Sequence, residues 1–297
     1  MTIEASLRPR GPYSLALTCR KAHDATRRVD ARTLTAVVDA GDGPEIVRAS
    51  QRGDGTLDLR AESEAGLAQL RFVLACDDDH SEFLRRFAED PLLREAIRHL
   101  KGLRPMRTST VTQALLRAIC GQLIEAKRAF AIERNLIRAT TEQLGGLHAP
   151  PRPRHLARFA PAQLFRFGLP SRKATALVRI CRTLDVERFR DLPGDAAETR
   201  LIRERGIGPW SIGVVWTEGL GRYDRGIVGD LGLLKLCSAI RGRWVDADDT
   251  AELLAPYEEW AGLACVYLLA GWGRGLVPLQ LNGPMVRRAR VKARYAA

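Results

Sequence analysis

Two glycines around one apolar residue, followed at once by proline, constrain this chain more than any other feature: Gly206-Ile207-Gly208-Pro209, within residues 201–213. Glycine adopts backbone conformations closed to other residues, and proline is well placed at the first position of a helix. The run predicts a helix ending near Arg205, a tight turn, and a second helix opening at Pro209, with Ile207 plugging the gap between them. Missing side chains at the glycines let a phosphate approach the backbone. The opening turn of the second helix offers it free N–H groups and a positive dipole end. The same turn can hold a monovalent cation, Na+ or K+, on carbonyls near Arg205, Gly206 and Gly208. Read alone, the segment fits a DNA-binding corner or an ordinary helix–turn–helix bend that binds nothing.

Charge bears on that choice. Lys and Arg total 47 against 35 Asp and Glu over 297 residues, a formal net charge of +12. Arginine carries most of it, and its planar guanidinium suits phosphate. A basic balance fits a nucleic-acid partner, although Arg- and Ala-rich composition also follows from GC-rich coding. The tail from Met285 holds Arg287, Arg288, Arg290, Lys292 and Arg294 with no acidic residue; it reads either as a phosphate contact or as a solvated end. The six cysteines are scattered without CxxC spacing, and the five histidines show no metal-binding pattern. The thiols are therefore expected to be small buried groups in a reducing compartment, and no cofactor is expected beyond the hairpin cation. No apolar run reaches the length of a signal peptide's core or a membrane span, so the chain is expected to be cytoplasmic and nucleoid-associated, without a membrane partner.

The periodicity divides the chain near residue 100. Residues 13–19, 33–38, 46–49 and 57–60 read as short strands, the last after the turn Gly53-Asp54-Gly55. Helices follow at 64–74 and 80–88, with a further turn from Pro91 toward Leu100. From Leu103 the texture is helical: 108–122, 125–140, 161–167, 172–182, the end of a helix at 200–204, then 209–218, 231–240, 250–254 and 258–270. Pro150, Pro151 and Pro153 mark a loop. The expected fold class is α+β: a small antiparallel-sheet domain with helices over 1–100, then an all-α region over 101–297 carrying the hairpin near 198–219.

Several segments now line up. Gly206-Ile207-Gly208-Pro209-Trp210 is followed by Gly229-Asp230-Leu231-Gly232-Leu233. Ala118-Ile119-Cys120-Gly121-Gln122-Leu123 stands upstream, and Glu258-Glu259-Trp260 with 264–269 stands downstream. Leu15-Ala16-Leu17 and Gly102-Leu103-Arg104-Pro105 fall in the first part. In these segments, which span most of the chain, it resembles the helix-hairpin-helix DNA glycosylases and is similar to their 3-methyladenine DNA glycosylase II group. The pairing of hairpin and aspartate is specific; either half alone is not.

The resemblance implies an enzyme acting on damaged double-stranded DNA, expected to work as a monomer by flipping the base out of the duplex. Asp230 matches the catalytic carboxylate. Splitting an N-glycosidic bond builds positive charge on the sugar, and a carboxylate stabilises that charge and orients the attacking water. Read from the residues alone, Asp230 after Gly229 is equally a plain N-cap of the next helix, and the two roles can coexist. Trp210 matches a stacking position, where an indole face attracts a cationic alkylated base; a core tryptophan is the plain alternative. Val214, Leu269 and Trp260 complete the implied base pocket. Gln122 is expected to bond DNA near the lesion. Leu123 matches the wedge that fills the gap left by the flipped base, with a buried helix-end leucine as its alternative. Gly206, Ile207, Gly208, Pro209 and Ser211 form the implied hairpin grip, and Arg222 and Arg225 are placed to neutralise phosphate.

Related glycosylases that also cut the strand carry a lysine where Trp210 stands, and no lysine occurs in 206–229. A monofunctional enzyme that leaves an abasic site is therefore implied; Lys235 lies beyond Asp230. The chain departs from the family pattern at Glu259-Trp260-Ala261-Gly262, where Pro-Trp-Arg-Ser is common. Val214 stands for a pocket tyrosine and Leu269 for a pocket tryptophan, so a more aliphatic pocket is expected. Glu125, beside Lys127 and Arg128, replaces a serine-bearing stretch. Rival functions are a glycosylase for deaminated or oxidised bases, a damage-binding protein without catalysis, and an RNA-binding helical protein.

Overall fold

The computed structural model describes residues 2–20, 24–30 and 32–278. Strands β1 (Ile3–Leu7), β2 (Arg27–Asp30), β3 (Thr33–Asp39), β4 (Pro44–Gln51) and β5 (Leu57–Ala61) form one antiparallel sheet in the order β1-β5-β4-β3-β2. Period-2 alternation sets its faces. Leu34, Ala36 and Val38 of β3 join Val47, Ala49, Leu57 and Leu59 in a core on one face. Val37 faces the other side, against Leu147 and Ala149.

Two helices close the sheet core. The segment 13–19 is not the expected strand: α1 (Leu15–Thr18) is one helical turn, whose Leu17 N–H donates to Ser14 Oγ at 3.3 Å. The apolar residues there are Leu15 and Cys19, four apart, which points both into the core from a helix. In α2 (Glu64–Val73), Ser63 is the N-cap and Leu67, Leu70 and Val73 are buried. Strands β1 and β2 escaped the sequence reading. Ile3, Ala5 and Leu7 do alternate, whereas β2 has Val29 as its one apolar residue and is a strand because β3 pairs with it.

The rest is helical. Helices α3 (Ser81–Arg86) and α4 (Arg94–His99) precede α5 (Val111–Gly121) and α6 (Ala126–Thr140). A hairpin of β6 (Gln143–Leu144) and β7 (Leu147–His148) leads to α7 (Pro153–Ala157), α8 (Pro161–Phe165) and α9 (Ser171–Thr183). A 3-10 turn at Val186–Arg190 and α10 (Gly194–Ile202) lead into α11 (Pro209–Val214), which continues as a π-helix over Val215–Leu220. The set ends with α12 (Leu231–Arg241), α13 (Ala247–Leu254), a 3-10 turn at Ala255–Trp260, and α14 (Ala261–Trp272). Helix α7 stands where a loop was expected, because Pro153 occupies a first-turn position that proline tolerates. No described helix is long and apolar enough to cross a membrane.

Two helical cores result. One gathers α5, α9, α10 and the hairpin around Leu116, Leu177, Ile207 and Trp216. The other gathers Phe83, Ile97, Leu233, Leu263 and Tyr267 from α3, α4, α12 and α14, so it spans both sides of residue 100. All six cysteines are buried free thiols. The basic tail from Met285 lies outside the described residues.

Candidate active site

The loop before Asp230 runs along the seam between the two helical cores, and glycines let it through. A Cβ on Gly213 of α11 would lie 2.3 Å from the Gly226 carbonyl oxygen. A Cβ on Gly262 of α14 would lie 2.8 Å from that of Arg225, and one on Gly226 would strike Leu254 at 2.6 Å. The backbone is pinned as it passes. Gly262 N–H donates to Tyr223 O (2.6 Å), Ile227 N–H to Cys265 Sγ (3.4 Å) and Gly229 N–H to Thr250 Oγ1 (2.8 Å). Gly229 turns the chain at φ +78, and Asp230 then opens α12. Burial pushes the Cys265 thiol up to about 12, with Asp230 among the charges acting on it, so this thiol is not a nucleophile near neutral pH.

Asp230 performs its cap. Its Oδ1 accepts from Gly232 N–H at 2.8 Å and Leu233 N–H at 3.2 Å. Its Oδ2 accepts from the Trp210 indole N–H at 3.1 Å. The carboxylate is half-buried, and its remaining lone-pair site is on Oδ2. Trp210 comes from the first turn of α11 and lies against the end of α5: a Cβ on Gly121 would be 2.6 Å from its Cη2. Gly232 likewise leaves room for Leu269, whose Cδ2 would lie 2.7 Å from an added Cβ. Trp210, Asp230 and Leu269 therefore meet at the seam.

The hairpin adjoins them. Gly206 takes φ +95, and Ile207 is buried in the first helical core as the expected plug. Gly208 is extended, and nothing lies within 4 Å of where its Cβ would be. Gln122 Nε2 donates to Gly206 O at 2.7 Å and Ser211 Oγ at 3.0 Å. Leu123 is not a buried helix-end leucine: it is 103% exposed with φ +55. Lys173, which the sequence reading passed over, donates from α9 to Cys120 O (3.2 Å) and Gln122 O (2.6 Å). Burial lowers the pKa of its ammonium. Only the helical register of α9 signals it, as a lysine half-buried among apolar positions.

No family model matches the chain. A DNA-3-methyladenine glycosylase of Bacillus subtilis is 28% identical over 204 residues, covering 65% of this chain and 67% of the relative. The 3-methyladenine DNA-glycosylase from Archaeoglobus fulgidus superposes with a TM-score of 0.78 at 18% identity, over 90% of this chain and 97% of that one. The Clostridium acetobutylicum 8-oxoguanine glycosylase/lyase bound to DNA gives 0.74 at 15% identity, over 93% and 98%. In sequence the chain is similar to DNA-3-methyladenine glycosylases, and in fold to helix-hairpin-helix DNA glycosylases. Two further curated relatives are matched over only 54% and 44% of their length.

Several residues that the resemblance implied for the site are engaged within the protein. Ser211 is 2% exposed and bonded to Gln122, so it braces the hairpin from inside. Val214 is buried in the first helical core. The Trp260 ring stacks on Tyr223 (centroids 6.3 Å apart, interplanar angle 19°) and lies near His80 and Phe83. Arg222 donates to the carbonyls of Arg190 and Leu192. Arg225 pairs with Glu198 at 2.8 Å and Asp224 at 2.9 Å. Both arginines tie the loop before Asp230 to its neighbours instead of presenting a bare cation. Pro209 is exposed at the hairpin, as are Glu125, Lys127 and Arg128 beside Leu123.

Proposed function

We propose that the protein is a monofunctional DNA glycosylase that hydrolyses the N-glycosidic bond of alkylated purines, of the 3-methyladenine and 7-methylguanine type, in duplex DNA. The observation that carries this reading is the Asp230 carboxylate, fixed by three donors at the seam beside a glycine hairpin and an exposed wedge. Alkylation at N3 or N7 makes the purine cationic, so it leaves without a strong general acid. The C1′–N bond breaks with its electron pair passing to the base, and the sugar becomes an oxocarbenium ion. Asp230 stabilises that cation through the free side of Oδ2. Water then adds to C1′, its proton goes to the carboxylate and on to solvent, and an abasic site remains.

DNA binding follows from the same corner. Open space over Gly208 admits a phosphate to the backbone at the start of α11. A Na+ or K+ ion can join there. The carbonyls of Arg205, Gly206 and Gly208 accept one hydrogen bond each, from Arg179, Gln122 and the Ile212 N–H, and each keeps a second lone pair. Leu123 is the wedge.

Trp210 argues against strand cleavage. A glycosylase/lyase needs an amine that attacks C1′, and the position after the hairpin offers an indole. Lys173 turns its amine to backbone carbonyls. A protein that only binds damage has no use for a carboxylate facing polyanionic DNA.

The test is incubation of the protein with a methylated duplex, followed by gel detection of heat-labile abasic sites and chromatography of released bases. Release of 3-methyladenine and 7-methylguanine without strand nicking is expected, and it disappears in Asp230→Asn. Undiminished turnover in that variant, or no release of methylated purines beside release of hypoxanthine or oxidised guanine from duplexes carrying those bases, overturns the assignment.

A further inference from the structure

The wedge at Leu123 is carried by a backbone that leucine disfavours. At φ +55 the side chain crowds its own peptide, and the fully exposed side chain gains nothing from burial in return. The conformation must be held by its surroundings, and two clamps reach it. From the hairpin side, Gln122 bonds Gly206 O and Ser211 Oγ. From the other side, Lys173 bonds the carbonyls of Cys120 and Gln122. The last carbonyls of a helix lack intrahelical donors, and an ammonium there also opposes the negative end of the dipole. Lys173 thus satisfies the end of α5 and fixes the direction in which the chain leaves it.

We propose that Lys173 is a positioning residue for base extrusion: by gripping the Cys120 and Gln122 carbonyls it sets the chain reversal that projects Leu123, and so governs excision from paired DNA. The inference rests on the glycosylase reading above. A base flipped out of a paired duplex leaves a gap that a wedge must fill, whereas a base already unpaired does not. Dependence on Lys173 is therefore confined to paired lesions. A merely structural role, by contrast, would weaken excision from any DNA alike.

Single-turnover release of a methylated purine is measured from a paired duplex and from the same lesion in a one-nucleotide bulge. Wild type, Lys173→Met, Lys173→Arg, Leu123→Ala and the Lys173→Met/Leu123→Ala double variant are compared. Hydrogen exchange at the Leu123 and Ile124 amides is followed on the DNA-free proteins. Lys173→Met is expected to slow release from the paired duplex about tenfold or more, the effect of losing charge-assisted hydrogen bonds. It changes release from the bulge little, and Lys173→Arg restores most of the loss. In the double variant the two losses do not multiply, because both act through the wedge. Exchange at the two amides speeds up in Lys173→Met and not in Lys173→Arg. Equal losses on both substrates, multiplying losses, or unchanged exchange overturn the proposal. If wild type releases no methylated base from either substrate, the glycosylase reading fails, and the exchange measurement still decides whether Lys173 holds the reversal.

Discussion

The Trp210 indole N–H donates to Asp230 Oδ2 at 3.1 Å, joining the first turn of the hairpin's second helix to the N-cap of α12. The other carboxylate oxygen caps that helix. One side chain therefore terminates a helix and faces the seam, and each oxygen has its own donors. The two roles can be separated by substitution.

Asparagine caps a helix about as well as aspartate, and alanine does not. Asp230→Asn should leave the unfolding free energy within about 0.5 kcal/mol of wild type while lowering base release by about a thousandfold or more. Asp230→Ala should lose comparable activity and also about 1 kcal/mol of stability. Denaturant unfolding and single-turnover excision check both. A destabilised Asp230→Asn would mean that the charge, not the cap geometry, supports α12.

Trp210→Phe keeps an aromatic face and removes the N–H. Losing one donor to a charged acceptor should lower the single-turnover rate about tenfold, with affinity for an abasic duplex little changed. If stacking alone mattered, Trp210→Phe would keep nearly full rate and Trp210→Leu would not.

Much of this was readable in the chain. Gly206-Ile207-Gly208-Pro209 requires a turn with a buried plug, and Ile207 is that plug. Asp230 after a turn glycine requires a cap, and the cap is present. What escaped the sequence depends on neighbours distant in the chain. Arg222 and Arg225 look like phosphate ligands until Leu192, Glu198 and Asp224 appear beside them. Ser211 looks like an exposed hairpin residue until Gln122 covers it. Trp260 keeps its place in the chain pattern, yet its ring is held by Tyr223 and His80. Segment 13–19 shows local ambiguity of another kind, since four-residue spacing of Leu15 and Cys19 serves a helical turn while the intervening apolar residues imitate a strand.

The hairpin glycines should fail in different ways. Gly206 takes φ +95, so Gly206→Ala is strained and should cost about 1–2 kcal/mol of stability. Gly208 is extended with open space beside it, so Gly208→Val should fold normally. Its added methyl groups stand where a phosphate would approach, and affinity for duplex DNA should fall about tenfold or more. Thermal unfolding and fluorescence anisotropy with labelled duplex separate the two. Equal DNA affinity for Gly208→Val and wild type would move the phosphate grip elsewhere.

Arg117 holds three carboxylates between the sheet and the first helical core: Asp24 and Glu133 at 2.8 Å each, and Glu218. Burial alone would raise the Asp24 carboxyl, but Arg27 and Arg117 outweigh it and hold it at about 2. That folded value lies below the ordinary 3.8, so the Asp24 contribution is present above pH 3.8 and is lost as pH falls toward 2. Arg117→Met leaves the buried Glu133 carboxylate uncompensated, while Asp24 keeps Arg27, and should cost about 3–5 kcal/mol at neutral pH. Glu133 contributes with the opposite sign, and the variant enlarges its share. Glu133, already raised above 4.5 by burial, rises further, so stability is lost as pH climbs through and above that value. Denaturant titrations at pH 5 and pH 7.5 should show Arg117→Met closer to wild type at the lower pH.

Leu123 exposes a trade between stability and function. A non-glycine residue in the left-handed region costs about 1–2 kcal/mol, and glycine there costs little beyond its greater freedom when unfolded. Leu123 at φ +55 is fully exposed, so removing its side chain uncovers no core. Leu123→Gly should therefore raise stability by about 1 kcal/mol or less, against the usual sign for leucine to glycine. The same change takes away the wedge, and release of a methylated purine from paired DNA should fall while release from a bulged lesion persists. A melting temperature that rises as duplex excision falls would show that strain is retained at this residue because the side chain is needed outside the protein. A melting temperature that falls would mean that Leu123 contributes contacts to the fold, and the wedge assignment would lose its physical basis.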